Sequence, residues 1–127
     1  MNGFFLVATG GAIGASLRHA AGLAAVRFAP AGWPYATFFV NVAGSFAMGL
    51  VIGWLALKGG AGGQATRLFL ATGILGGFTT FSAFSLEVAK MVERGAMARA
   101  ASYAGLSVAL GLGALFAGLW LARRALA

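Results

Sequence analysis

Leu68-Phe69-Leu70-Ala71-Thr72-Gly73-Ile74-Leu75-Gly76-Gly77-Phe78-Thr79-Thr80-Phe81-Ser82-Ala83-Phe84-Ser85-Leu86 runs for 19 residues between Arg67 and Glu87 without a charge. A helix that crosses a bilayer needs about 20 predominantly apolar residues, so this stretch reads as a membrane span. Its middle is unusual for one. From Gly73 to Ser85 it carries three glycines (Gly73, Gly76, Gly77) and four hydroxyl residues (Thr79, Thr80, Ser82, Ser85). A glycine in a helix interior costs about 1 kcal/mol relative to alanine, and two adjacent threonines weaken the helix further. A break between Gly76 and Thr79 is therefore expected. It would release backbone carbonyls inside the bilayer, where protein, water or a bound cation must satisfy them.

Two further runs flank it: Phe28–Leu57 has 30 uncharged residues and Ala100–Ala122 has 23. Gly3–Val26 is apolar apart from Arg18 and His19 and reads as another span, with neither a basic region before it nor a cleavage pattern after it to suggest a signal peptide. The whole chain of 127 residues has only 9% charged residues and 61% apolar ones, against roughly a quarter charged in soluble domains. The expectation is an all-α membrane protein, a single domain over 1–127 with four spans at about 3–27, 34–57, 67–89 and 98–122, the third broken mid-membrane.

Composition removes most chemistries. There is no cysteine and no aspartate, one histidine (His19) and two acids (Glu87 and Glu93). Disulfides, thiolate nucleophiles, multi-histidine metal cages and a Ser-His-Asp triad are all excluded, and the chain is not expected to be an enzyme. The net charge of +7 comes from basic residues at the ends of apolar runs. That is the place of interface anchors rather than of a nucleic-acid surface.

With four spans, one side carries Lys58, Arg67, Arg123 and Arg124 and the other Arg27, Lys90, Arg94 and Arg99, with Arg18 as a possible fifth. Orientation follows Lys/Arg bias, and here the bias is nearly absent, so insertion both ways and an antiparallel dimer become plausible. Glycines four apart (Gly10/Gly14, Gly49/Gly53, Gly73/Gly77), with Ser45 one turn before Gly49, suit close approach of helices in lipid.

Intramembrane polar groups each need a partner or a function. Arg18 either snorkels to the interface or faces a water-filled vestibule. Asn41, one turn after Thr37, is interhelical glue or a pore residue. Phe81 and Phe84 share a helix face; they pack, or they turn their positive ring edges to an anion. Ser102, Tyr103 and Ser107 either continue a polar track or bond to nearby backbone.

Three motifs taken together resemble the Fluc family of prokaryotic fluoride channels, also called CrcB. They are Gly10-Gly11-Ala12-Ile13-Gly14-Ala15-Ser16-Leu17-Arg18, Thr37-Phe38-Phe39-Val40-Asn41-Val42-Ala43-Gly44-Ser45-Phe46 and Gly76-Gly77-Phe78-Thr79-Thr80-Phe81-Ser82-Ala83-Phe84-Ser85. The resemblance covers essentially the whole chain. Ala36 and Ala83 depart from it, standing where the family usually has a glycine and a threonine.

The resemblance implies a dual-topology antiparallel homodimer with two fluoride pores in the prokaryotic plasma membrane, giving passive fluoride exit. It implies pore-lining roles for Phe81, Phe84 and Asn41, a polar track of Thr80, Ser82, Tyr103, Ser107 and Thr37, and a vestibule role for Arg18. It also implies a structural Na⁺ at the dimer centre, held by backbone carbonyls of Gly76 and Thr79. Two rivals are weighed. A small multidrug-type proton-coupled transporter would need an acid in the first span, which has none. A structural subunit of a larger complex would leave the mid-membrane threonines and phenylalanines without a reason.

Overall fold

The computed structural model describes residues 2–127, so Met1 of the expected 1–127 domain lies outside the described residues. Helix α1 spans Asn2–Phe28 and α2 spans Tyr35–Lys58. A 3₁₀ turn (Gly60–Gly62) and the short α3 (Gly63–Thr66) lead into a π-helical stretch, Arg67–Leu75, followed by α4 (Gly76–Phe78). After two extended residues, α5 (Phe81–Glu93) and α6 (Met97–Leu126) complete the chain. Among the described residues three helical stretches are long and apolar enough to cross a membrane: Tyr35–Lys58, Gly60–Glu93 with its interruption, and Met97–Leu126.

Local chemistry explains the boundaries. Pro34, which has no N–H to donate, precedes α2, and the turn before it uses Gly32 at φ +101°, a conformation that glycine adopts without a Cβ penalty. Gly95 at φ +78° reverses the chain between α5 and α6. The Gly-rich connector after Lys58, between the expected second and third spans, is largely helical. The gap between the expected spans 67–89 and 98–122 shrinks to Arg94–Ala96 because both neighbouring helices extend into it.

Small residues set the packing. A methyl group on Gly10 would lie 2.5 Å from Phe69 O, one on Gly77 would lie 2.6 Å from Gly11 O, and one on Gly14 would run into Ile74 O. Gly49 faces the backbone of Leu115–Leu119, Gly118 faces that of Phe46–Leu50, and Gly53 meets Ala122. Contact positions rise together along α1 and the third segment, and again along α2 and α6, so each of these pairs is parallel. Across the pairs the order reverses: Gly44 meets Thr79, Asn41 meets Thr80 and Thr37 meets Glu87. The glycines picked out by spacing are thus the close contacts themselves, as expected where backbone proximity replaces hydrophobic drive.

Candidate functional site: the interrupted helix and its clefts

The interruption falls at Thr79 (φ −88°, ψ 158°) and Thr80 (φ −152°, ψ 120°), while Gly76 and Gly77 remain helical. The weak point is therefore the Thr-Thr pair at the end of the stretch expected to break. Thr80 is the N-cap of α5, its Oγ1 accepting from Ala83 N–H at 3.2 Å. Such a cap replaces one of the donors' missing helical partners.

Side chains from other helices hold the extended residues. Asn41 donates from Nδ2 to Thr80 O at 3.0 Å and accepts from Thr80 N–H at Oδ1 at 2.7 Å, so one amide engages both backbone groups of one residue. Leu75 O accepts from Thr79 N–H at 3.0 Å and from Thr79 Oγ1 at 2.9 Å. Arg18 Nε donates to Gly77 O at 3.0 Å.

Three carbonyls, those of Gly76, Phe78 and Thr79, are left without a partner among the described residues. In an unbroken helix Gly76 O would accept from Thr80 N–H, Phe78 O from Ser82 N–H and Thr79 O from Ala83 N–H. Thr80 N–H is held by Asn41 and Ala83 N–H by Thr80 Oγ1, and the two extended residues displace Ser82 N–H. Hard oxygens without donors suit a hard cation, the role that Gly76 and Thr79 are expected to play.

Two clefts meet at Thr80. One, of about 320 Å³, is lined by Asn41, Gly44, Ser45, Met48, Thr79, Thr80, Phe81 and Leu115. The other, of about 410 Å³, is lined by Arg18, His19, Thr37, Thr80 and Ala83 among others. Phe81 is 79% exposed, its ring 5.7 Å from that of Phe84. Thr80 Oγ1 and Ser82 Oγ lie 3.3 Å apart. Thr80 Oγ1 already accepts from Ala83, so whichever hydroxyl donates across this pair, one hydroxyl hydrogen remains available.

Glu87 is the residue that sequence reasoning passed over. Its Oε1 accepts from Thr37 Oγ1 at 2.7 Å and its Oε2 from Tyr103 OH at 2.6 Å, joining α2, α5 and α6. Tyr103 is fully buried, with Trp33 and Phe84 each 5.2 Å away, centroid to centroid. Arg99 Nη1, donating to Gly32 O at 2.9 Å, ties the Trp33 turn to the start of α6. Ser107 Oγ is buried and has no hydrogen-bond partner among the described residues. Ser102 Oγ instead bonds to Ala98 O at 2.7 Å, within its own helix. The structure thus brings Asn41, Thr80, Phe81, Phe84 and Ser82 together at the break, with Thr37 and Tyr103 joined one step away through Glu87. Ser107 lies further along α6, one turn from Tyr103.

Residues 5–119 match the family described as CrcB-like protein, Camphor Resistance (CrcB). The chain belongs to the CrcB family. Its relatives include the "Fluoride-specific ion channel FluC" of Hyphomonas neptunium, 68% identical over 98% of both chains. Proteins of the same name from Phenylobacterium zucineum and Caulobacter vibrioides are 55% and 49% identical over the full length of each chain. Within the CrcB family these relatives are named as ion channels, a class that is not an enzyme. Together with the three long apolar helices, this makes the chain a multi-pass membrane protein.

Proposed function

We propose that this CrcB-family chain is a fluoride-selective channel that lets fluoride leave a prokaryotic cell passively across the plasma membrane and so lowers its toxicity. In this reading α1 is a fourth membrane span, and two copies inserted in opposite directions form a dimer with two pores. The observation that carries it is the cleft at the break. There a largely exposed Phe81 ring, free hydroxyl capacity at Thr80 and Ser82, and Asn41 converge in an otherwise apolar bundle.

Fluoride is small and strongly hydrated, so it crosses only where positioned donors replace its water. Asn41 keeps one Nδ2 hydrogen after bonding Thr80 O, and the Thr80–Ser82 pair keeps one hydroxyl hydrogen. Phe81 and Phe84 supply ring edges with partial positive charge. None of these is a full positive charge, which suits several weak sites that admit an ion and also release it. Thr37, Tyr103 and Ser107 extend the polar route along α2 and α6. Arg18 and His19 line the second cleft, whose positive character would draw anions toward Thr80.

The Gly76 and Thr79 carbonyls of both copies would hold a central Na⁺, which supplies fixed positive charge to oxygens that have no donors. Export needs no coupling group. Both oxygens of Glu87 already accept hydrogen bonds, and α1 contains no acid to carry a proton against a substrate.

The test is anion efflux from liposomes containing only the purified protein, followed with a fluoride electrode beside chloride-loaded controls. Rapid fluoride release, negligible chloride release and loss of flux in Phe81→Ile are expected. Folded dimer that releases no fluoride would overturn the reading, and uptake of drug cations or a dependence on a partner subunit would be tested next.

A further inference from the structure

Arg18 does more than line the second cleft. Its Nε–H points at Gly77 O, 3.0 Å away and 59 residues along the chain. Gly77 O is itself a product of the break, because its helical donor would be the Phe81 N–H, displaced beyond two extended residues. Gly77 also sits in the close approach of α1, where an added methyl group would meet Gly11 O and Ala15 N. Donorless carbonyls lie on both sides of it, Gly76 O before and Phe78 O and Thr79 O after.

We propose that Arg18 is a positioning residue of the broken segment, acting through the Nε–H···O bond to Gly77 rather than through its charge. Asn41 fixes the far side of the break at Thr80 and Arg18 fixes the near side at Gly77, so the peptide planes between them have little freedom. Gly77 O is turned toward α1, and the donorless carbonyls on either side of it, those of Gly76 and Thr79 included, are held in place. The guanidinium of Arg18 retains its other N–H groups for the cleft it shares with His19 and Thr37. The role toward the cation rests on the sodium reading above; the hold on the break does not.

Side-chain chemistry separates geometry from charge. Glutamine carries a planar N–H donor at the same position along the side chain as arginine Nε, without charge. Lysine keeps the charge and places a carbon there. The experiment titrates sodium into purified dimer held in N-methylglucamine, following thermal melting, and measures amide exchange at Thr80 and Ala83 in saturating sodium.

Arg18→Gln is expected to match the wild type within about twofold in both readouts. Arg18→Lys is expected to raise the sodium concentration needed for half the stabilisation about tenfold or more, and to speed Thr80 exchange similarly, as leaving a carbonyl without its donor implies. The inference is overturned if Arg18→Lys matches the wild type while Arg18→Gln does not, or if both variants match it. A wild type whose melting ignores sodium would overturn the cation reading and the role of Arg18 toward it, while the exchange measurement still decides whether Arg18 holds the break. Arg18→Met, with neither charge nor donor, is expected to behave like Arg18→Lys in exchange and overturns the inference if it does not.

Discussion

Replacing Asn41 by alanine leaves both the N–H and the C=O of Thr80 without their side-chain partner. An unsatisfied buried group costs roughly 1–3 kcal/mol, so Asn41→Ala is expected to lose on the order of 2–4 kcal/mol of stability along with flux, checked by unfolding in detergent and by liposome efflux. Tyr103→Phe removes one of the two donors to Glu87. It is expected to cost about 1 kcal/mol, the net worth of one hydrogen bond, and to cost less when Thr37 is already valine if the three residues act as one network. Asn41, Phe81 and Phe84 could be named as candidates from the sequence because their motifs lie in short contiguous stretches. Glu87 was not, because its partners lie 16 and 50 residues away and nothing in a lone acid near a helix end announces them. The Arg18 bond was hidden for a related reason: it depends on which carbonyl the break releases and on how closely glycine lets α1 approach.

Helix packing turns on a few backbone contacts. Gly118→Leu would drive a side chain into Phe46 O and separate α2 from α6; overpacking costs about 1–3 kcal/mol and sometimes more. The expected outcome is loss of monodisperse protein in size-exclusion chromatography. Gly105→Ala, on the same helix but with nothing near its added methyl, is expected to be neutral or to gain up to about 1 kcal/mol, the helix-propensity difference. The lengths of α1, α2 and α6 were readable from their apolar runs, and the small-residue contacts of α1 and α2 from glycine spacing, whereas the Gly118 contact of α6 was not read. The π-helical stretch Arg67–Leu75 was not, since a mostly apolar run does not distinguish turns of slightly different width. The break was readable as a weak segment, but its placement at Thr79–Thr80 depends on Asn41 and the Thr80 cap, contacts that come from the fold.

Across the whole molecule, each long helix ends on cations: Arg27 in α1, Lys58 in α2, Lys90 in α5, and Arg123 with Arg124 in α6. Cations at C-termini are favoured by the helix dipole. Because consecutive long segments run in opposite directions, obeying that preference deposits positive charge on both sides alike. The near-equal Lys/Arg count thus has a local cause, and it removes the bias that would fix orientation. Gly62 and Gln64 are exposed in the connector after Lys58. Lysine at both positions is expected to fix one orientation and sharply lower fluoride flux, restored by co-expressing a copy biased the other way; accessibility labelling of the connector reads the orientation.

The exposed Phe81 ring carries a consequence for how activity depends on abundance. A lone protomer shows that ring to its surroundings with no second wall opposite it, so a closed path would exist only after two copies meet within the bilayer. Encounters of that kind follow mass action in two dimensions. Flux per membrane area would then climb as the square of protomer density while copies are sparse, and become proportional to density once pairing saturates. A cell making a few copies would have almost no conductance, and a modest rise in synthesis would switch it on steeply.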